Sequence, residues 1–123
     1  MYGIGVDIVS IERIAKSLEK ASFIKRIYGA DEIALFVCED KIKTNSLAAN
    51  FAAKEAFSKA LGTGVRGFDF DEVQVLRDRL GAPYFKFDGR AGQIVKEKNL
   101  DCKVSLSHEK DKAIAFVVIE VKR

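Results

Sequence analysis

Two acids and a lysine in this chain stand where a ligand could reach them. Asp7 interrupts the apolar alternation of GIGVDIVS, and Glu55 and Lys59 lie four residues apart in FAAKEAFSKALGTG. An aspartate in the middle of a strand is disfavoured by propensity, and with Gly5 two residues before it something can come close to the backbone. Phe51, Glu55 and Lys59 recur every four residues and so share one side of a helix, where Ala48, Ala52 and Ala56 leave room beside the acid for a ligand. The same spacing is also that of an ordinary surface ion pair, worth about 0.2–0.5 kcal/mol. The helix runs into GTGVRG, in which Gly62, Gly64 and Gly67 permit positive φ and close backbone approach while Arg66 adds a cation. Such a loop can cradle a phosphate, and it can also be only a turn. His108, the only histidine, falls at a strand end beside a turn. A lone histidine there is either a structural hydrogen-bonder or a catalytic group.

The elements that must position these residues are readable from periodicity and caps. Ile4, Val6 and Ile8 alternate with Gly5, Asp7 and Val9 as a strand. Ser10 caps a helix with the apolar stripe Ile11, Ile14 and Leu18 and a basic ridge of Arg13, Lys16 and Lys20 on its polar side. A short helical segment carries Phe23, Ile24 and Ile27 to Gly29, and Asp31 caps another with Ile33, Phe36 and Val37. The central helix is expected over about 45–61, capped by Thr44 or Ser46 and ended by Gly62. A hairpin follows, with strands over 73–77 and 84–87 and a turn over 78–83. A helix then runs from Asp88 or Gly89 to about Lys98 and stops at Asn99. A second hairpin pairs 103–108 with 113–121 around EKDK. Its last strand is apolar on both faces, with Ala113, Ala115, Val117, Ile119 and Val121 on one and Ile114, Phe116 and Val118 on the other. It must lie between two layers or at a subunit interface.

A chain of 123 residues reads as one domain spanning 1–123, long enough to bury a real core. The net charge of +3 hides a local excess, because Arg13, Lys16, Lys20, Lys25 and Arg26 outnumber Glu12 and Glu19 in one early segment that would suit an acidic partner, a phosphate-rich ligand or nucleic acid. No aromatic residues interleave with that ridge and there is no tryptophan, which counts against a nucleic-acid-binding module. Cys38 and Cys102 form no metal or redox motif and read as buried, reduced thiols. The start lacks a basic n-region and carries Asp7 in its apolar run, and no apolar stretch approaches the roughly 20 residues of a membrane span. A soluble, cytoplasmic protein is expected.

Three pieces together, GIGVDIVSIERI, FAAKEAFSKALGTG and VSLSHEKDKAIAFVVIE, resemble in order and spacing the holo-acyl-carrier-protein synthases, the small class of 4'-phosphopantetheinyl transferases. The resemblance implies an α+β fold of antiparallel strands packed against helices, forming homotrimers with active sites between subunits. It implies transfer of 4'-phosphopantetheine from coenzyme A to a serine of apo acyl carrier protein, with Mg2+ and release of adenosine 3',5'-bisphosphate, in support of fatty acid biosynthesis. By motif, Asp7 and Glu55 look like the magnesium ligands and Lys59 like a phosphate contact. By the same resemblance Gly62 and Gly64 look like part of the coenzyme A site, His108 of SLSH looks like a residue lining it, and Arg13, with Lys16 and Lys20 of the basic ridge, looks like the carrier-protein surface. The proton acceptor is left open among a metal-bound water, Glu55 and His108. Departures stand at Asn50, where many relatives carry arginine, and at Glu109 and Lys112, so a contact to the adenosine phosphates is expected to have moved, with Lys112 or Arg66 supplying the charge and Glu109 turned outward.

Overall fold

A computed structural model describes residues 1–62 and 67–123. Along the chain the elements are β1 (Gly3–Ser10), α1 (Ile11–Ser17), α2 (Ala21–Ile27), α3 (Ala30–Phe36), β2 (Val37–Cys38), β3 (Lys41–Ile42) and α4 (Thr44–Leu61). A 3-10 turn (Phe70–Glu72) leads to β4 (Val73–Arg77), β5 (Pro83–Phe87), α5 (Gly89–Glu97), β6 (Leu100–Glu109) and β7 (Lys112–Val121). All strand pairs are antiparallel, as the α+β expectation requires. β7 is the middle strand of a three-stranded sheet, between β1 and β6, while β4 and β5 form a separate hairpin.

Helix α4 is the axis of the molecule. Its alanines Ala48, Ala52, Ala53, Ala56 and Ala60 are buried against the sheet, opposite Ala113, Ala115, Val117 and Ile119 of β7. Small residues on both sides let helix and sheet approach closely, and β1 takes this further. A Cβ built on Gly3 or Gly5 would fall well inside van der Waals contact with the carbonyl oxygens of Ala60 and Ala56. The alanines beside Glu55 therefore do not leave open room; they bring a strand against the helix. On its other side α4 seats Phe57 among Phe68, Phe85 and Phe87, with ring centroids 5.1–5.6 Å apart. Such pairs add about 0.5–1.5 kcal/mol each beyond area burial.

This packing reverses the usual sense of β1. Its apolar residues Ile4, Val6 and Ile8 point away from the core and are 56%, 54% and 58% exposed, joined on the same outer face by Ile114 and Phe116 of β7. Gly5 and Asp7 face α4 instead. Gly5→Ala is accordingly expected to push β1 off the helix, lowering stability by about 1–3 kcal/mol as other overpacked cores do. Thermal unfolding checks this, and an unchanged midpoint would mean that the strand does not need its close approach.

Several local expectations are corrected. Helix α1 ends at Ser17, so Lys20 does not continue its ridge but stands at the N-cap of α2; Arg13 and Lys16 alone share α1. Gly29, not Asp31, caps α3, with Glu32 folding back to accept its N–H at 2.9 Å. Lys43 is the cap residue of α4 and offers no side-chain bond, Thr44 already being helical. Cys38 is exposed in the β2–β3 hairpin rather than buried. Cys102 is half-buried, and burial, followed by Asp101, pushes its thiol up to about 12. Ser10 caps α1 as expected, accepting from the Arg13 N–H at 3.3 Å. Asn99 adopts the left-handed conformation expected of a helix stop, at φ 55°.

Candidate active site

β1 and α4, remote in sequence, meet to place Asp7, Glu55 and Lys59 together. The Lys59 ammonium lies 3.1 Å from Asp7 Oδ1 and donates to the Val6 carbonyl at 3.0 Å. Asp7 is 17% exposed and Lys59 56%, so the acid lies against the strand–helix junction while the base lies over it toward solvent. Glu55 is half-buried one helical turn before Lys59. Burial first, then the charge of Asp7, raise its carboxyl above the usual carboxylate range, partly opposed by Lys59. Two carboxylates that feel each other's charge, with one lysine nearby, have cation affinity left over. Among the described residues no three His, Cys, Asp or Glu form a group that could hold a metal. Asp7 and Glu55 together could offer carboxylate oxygens to a hard divalent cation, which prefers oxygen ligands.

The Glu55–Lys59 helix ends at Gly62, in the left-handed conformation at φ 87°, whose N–H caps the carbonyls of Ser58 and Lys59. Gly64 and Arg66 lie outside the described residues. Within the chain His108 is not brought to the acids. It is exposed on β6, opposite Ala113 of β7, which in turn faces Val9 of β1. With neighbouring strands about 4.8 Å apart, His108 sits two strands across the sheet from the strand of Asp7. Glu109 and Lys112 are exposed and opposite each other in the same hairpin, so neither reaches the Asp7 carboxylate. Arg13, Lys16 and Lys20 are all exposed.

The residue that sequence reasoning passed over is Lys54, next to Glu55. It is wholly buried and donates to Glu32 Oε1 at 2.7 Å and to the carbonyls of Phe70 and Val73 at 3.0 and 2.6 Å. Glu32, equally buried, also accepts from the Gly29 and Val75 N–H groups and from Asn50 Nδ2. Asn50 is thus no ligand contact but part of this interior network, and its carbonyl oxygen accepts from Arg77 at 2.9 Å. Arg77 in turn lies over the Phe36 ring. Only the i−1 relation to Glu55 could have hinted at Lys54, because a helix turns adjacent residues about 100° apart.

A family model described as the 4'-phosphopantetheinyl transferase superfamily matches residues 3–117. The chain belongs to that superfamily. It is 44% identical over 120 residues to a holo-[acyl-carrier-protein] synthase of Clostridium botulinum, with 97% of each chain covered. It superposes on the crystal structure of holo-[acyl-carrier-protein] synthase from Neisseria meningitidis with a TM-score of 0.88 at 40% identity, covering 98% of both chains. It also matches the Helicobacter pylori synthase in complex with coenzyme A, with a TM-score of 0.80, 36% identity and 95% and 99% coverage. Within the superfamily its family is therefore holo-[acyl-carrier-protein] synthase, an enzyme family. No described helix of this transferase is long and apolar enough to cross a membrane.

Proposed function

We propose that this enzyme transfers 4'-phosphopantetheine from coenzyme A to a serine of apo acyl carrier protein, with Mg2+, in the cytoplasm and in support of fatty acid biosynthesis. The observation that carries the reading is the convergence of Asp7, Glu55 and Lys59 at one strand–helix junction. In the reaction the serine oxygen attacks the phosphorus on the pantetheine side of the diphosphate. The bond from that phosphorus to the bridging oxygen breaks, and the electron pair leaves with adenosine 3',5'-bisphosphate while the serine gives up its proton. Asp7 and Glu55 are the carboxylates that would hold the magnesium ion, which when bound neutralises charge on the diphosphate. Lys59, exposed enough to leave Asp7, swings its ammonium to a phosphate oxygen, and Gly62, with open space where a Cβ would stand, lets the ligand come close to the backbone at the end of α4. Arg13 and Lys16 on α1, with Lys20 beyond its end, present positive charge to an acidic carrier and orient its serine. Incubation with coenzyme A, magnesium and an apo carrier protein is expected to add the mass of phosphopantetheine to the carrier; a carrier left unmodified by active-concentration enzyme would reject the reading.

A homotrimer belongs to the same proposal. Its support is the outer sheet face, where Ile4, Val6, Ile8, Ile114 and Phe116 form an apolar patch with no cover in one chain. Such contiguous patches mark interaction sites. Burying the patch between copies also brings the sheet ends of neighbouring chains together, which gives His108 a route to the acids of another copy. Sedimentation is expected to give a trimer, and Phe116→Glu to give monomers of low activity. An active monomer at micromolar concentration would remove the idea.

A further inference from the structure

The buried lysine next to Glu55 reaches well beyond the helix that carries it. Lys54 donates to the carbonyls of Phe70 and Val73 at 3.0 and 2.6 Å, at the start of the 3-10 turn and just past its end, and Glu32 fixes its ammonium at 2.7 Å. Phe51, one helical turn before Glu55, adds an edge contact to the Phe70 ring with centroids 6.0 Å apart. Among the described residues the turn's other hydrogen bonds run within it or toward β5 and α5. The Glu72 N–H donates to the Asp69 carbonyl, the Asp88 N–H to the Glu72 carbonyl and the Ala91 N–H to Glu72 Oε1. On the side of α4 the turn is therefore held by Lys54 and Phe51.

That hold opposes a repulsion. A cavity of about 450 Å³ opens between α2, α4 and the turn, and Asp69 and Asp71 line it together with Glu55, with Arg26 exposed at its rim. Like charges around one space push the turn off the helix. Burial first, then Asp69 and Glu72, raise the Asp71 carboxyl, and the Lys54 ammonium works against them. We propose that Lys54 is a positioning residue of the transfer reaction: it holds the acid-bearing turn at a fixed distance from α4 and so keeps the Glu55 carboxylate in one place for the metal. The inference rests on the transfer reading above. Because Lys54 and Glu55 are consecutive, about 100° apart around α4, a tether on the first also fixes how the helix presents the second. A displacement of about 1 Å at a reacting group costs on the order of a hundredfold in rate.

Lys54→Met alone strands the Glu32 charge, so the informative protein is Lys54→Met combined with Glu32→Gln, assayed where circular dichroism shows it fully folded. Its kcat is expected to fall about ten- to a hundredfold and its half-saturating magnesium to rise about tenfold, while the KM for carrier protein, docked on α1, stays within about twofold. With coenzyme A but no carrier there is no turnover, and Mn2+ binding followed by electron paramagnetic resonance should weaken by the same factor of about ten. A normal kcat would overturn the assignment. So would a lowered kcat with both metal affinities unchanged, because a smaller active fraction lowers kcat without touching affinity. Should the combined variant not fold, hydrogen exchange on the unsubstituted protein decides. The Val73 amide, which donates to the Phe70 carbonyl, is expected to exchange no faster than the buried amides of α4. Exchange about a hundredfold faster would show the turn opening with Lys54 in place and would overturn the proposal. An unsubstituted protein that modifies no carrier would overturn the transfer reading beneath it instead.

Discussion

Asp7→Asn and Glu55→Gln are each expected to abolish turnover, and Glu55→Gln to do so while raising the melting temperature of the metal-free protein. A bound divalent ion supplies several kcal/mol of transition-state charge stabilisation. At about 1.4 kcal/mol per factor of ten, its loss is roughly a hundred- to thousandfold in rate. The stability change runs the other way. Burial and Asp7 raise the native carboxyl of Glu55 above its ordinary range. Between the unfolded value, about 4.3, and that raised value the native state binds more protons than the unfolded chain, so stability falls as pH rises through the window and the cost is fully present above it. Glutamine carries no such cost. The gain in midpoint should therefore be seen at pH 7 and vanish below about pH 4, where both forms of Glu55 are protonated. Adding magnesium and coenzyme A reverses the order, because ligand stabilises only the protein that binds it. Near-normal turnover in either variant would remove the ligand assignment, and a lowered midpoint for metal-free Glu55→Gln would remove the electrostatic account of the site.

How far this was legible in the sequence differs from residue to residue. Asp7 and Glu55 could be picked out because each breaks a local rule, an acid within an apolar strand and an acid among alanines. What the alanines did could not be read, since small residues signal open space and close packing alike, and the choice depends on Gly3 and Gly5 lying opposite them. The apolar side of β1 was equally ambiguous. Alternation tells which residues share a face but not which face is inward, and here tertiary packing put the glycines inside. The doubly apolar β7 was the better clue, because its two faces could not both be covered by the helices of one chain. His108 could not be placed at all by strand counting, as its distance from Asp7 depends on β7 lying between β6 and β1. Lys20 was misplaced for a simpler cause: the basic period persisted through a helix end at Ser17 that no glycine or proline marks. Lys54 was hidden by its type, since lysines are almost never fully buried unless paired, and its partner Glu32 is 22 residues away.

That pairing sets the second large effect, in stability. Lys54→Met is expected to cost about 3–5 kcal/mol, because it leaves Glu32 charged and enclosed with no countercharge at hydrogen-bond distance. Burial pulls the Lys54 ammonium down and Glu32 pushes it back, so each ion is tolerable only with the other present. The carbonyls of Phe70 and Val73 lose their donor as well, and with them α4 loses its hold on the 3-10 turn and the start of β4. For a protein whose whole stability is of the order of 5–15 kcal/mol, this change alone takes a large share. Glu32→Gln added to Lys54→Met removes the stranded charge, and its one amide oxygen keeps an acceptor for either the Gly29 or the Val75 N–H, which go to different carboxylate oxygens of Glu32, so it should recover part of the loss. Urea unfolding of the two variants decides it through their midpoints at unchanged slope. If the single substitution cost less than about 1 kcal/mol, the value of an exposed pair, the network would be a bystander to folding. If the double variant were no more stable than the single, the loss would lie in the two carbonyl contacts, and the anchor of the turn, not the buried charge, would be what Lys54 provides.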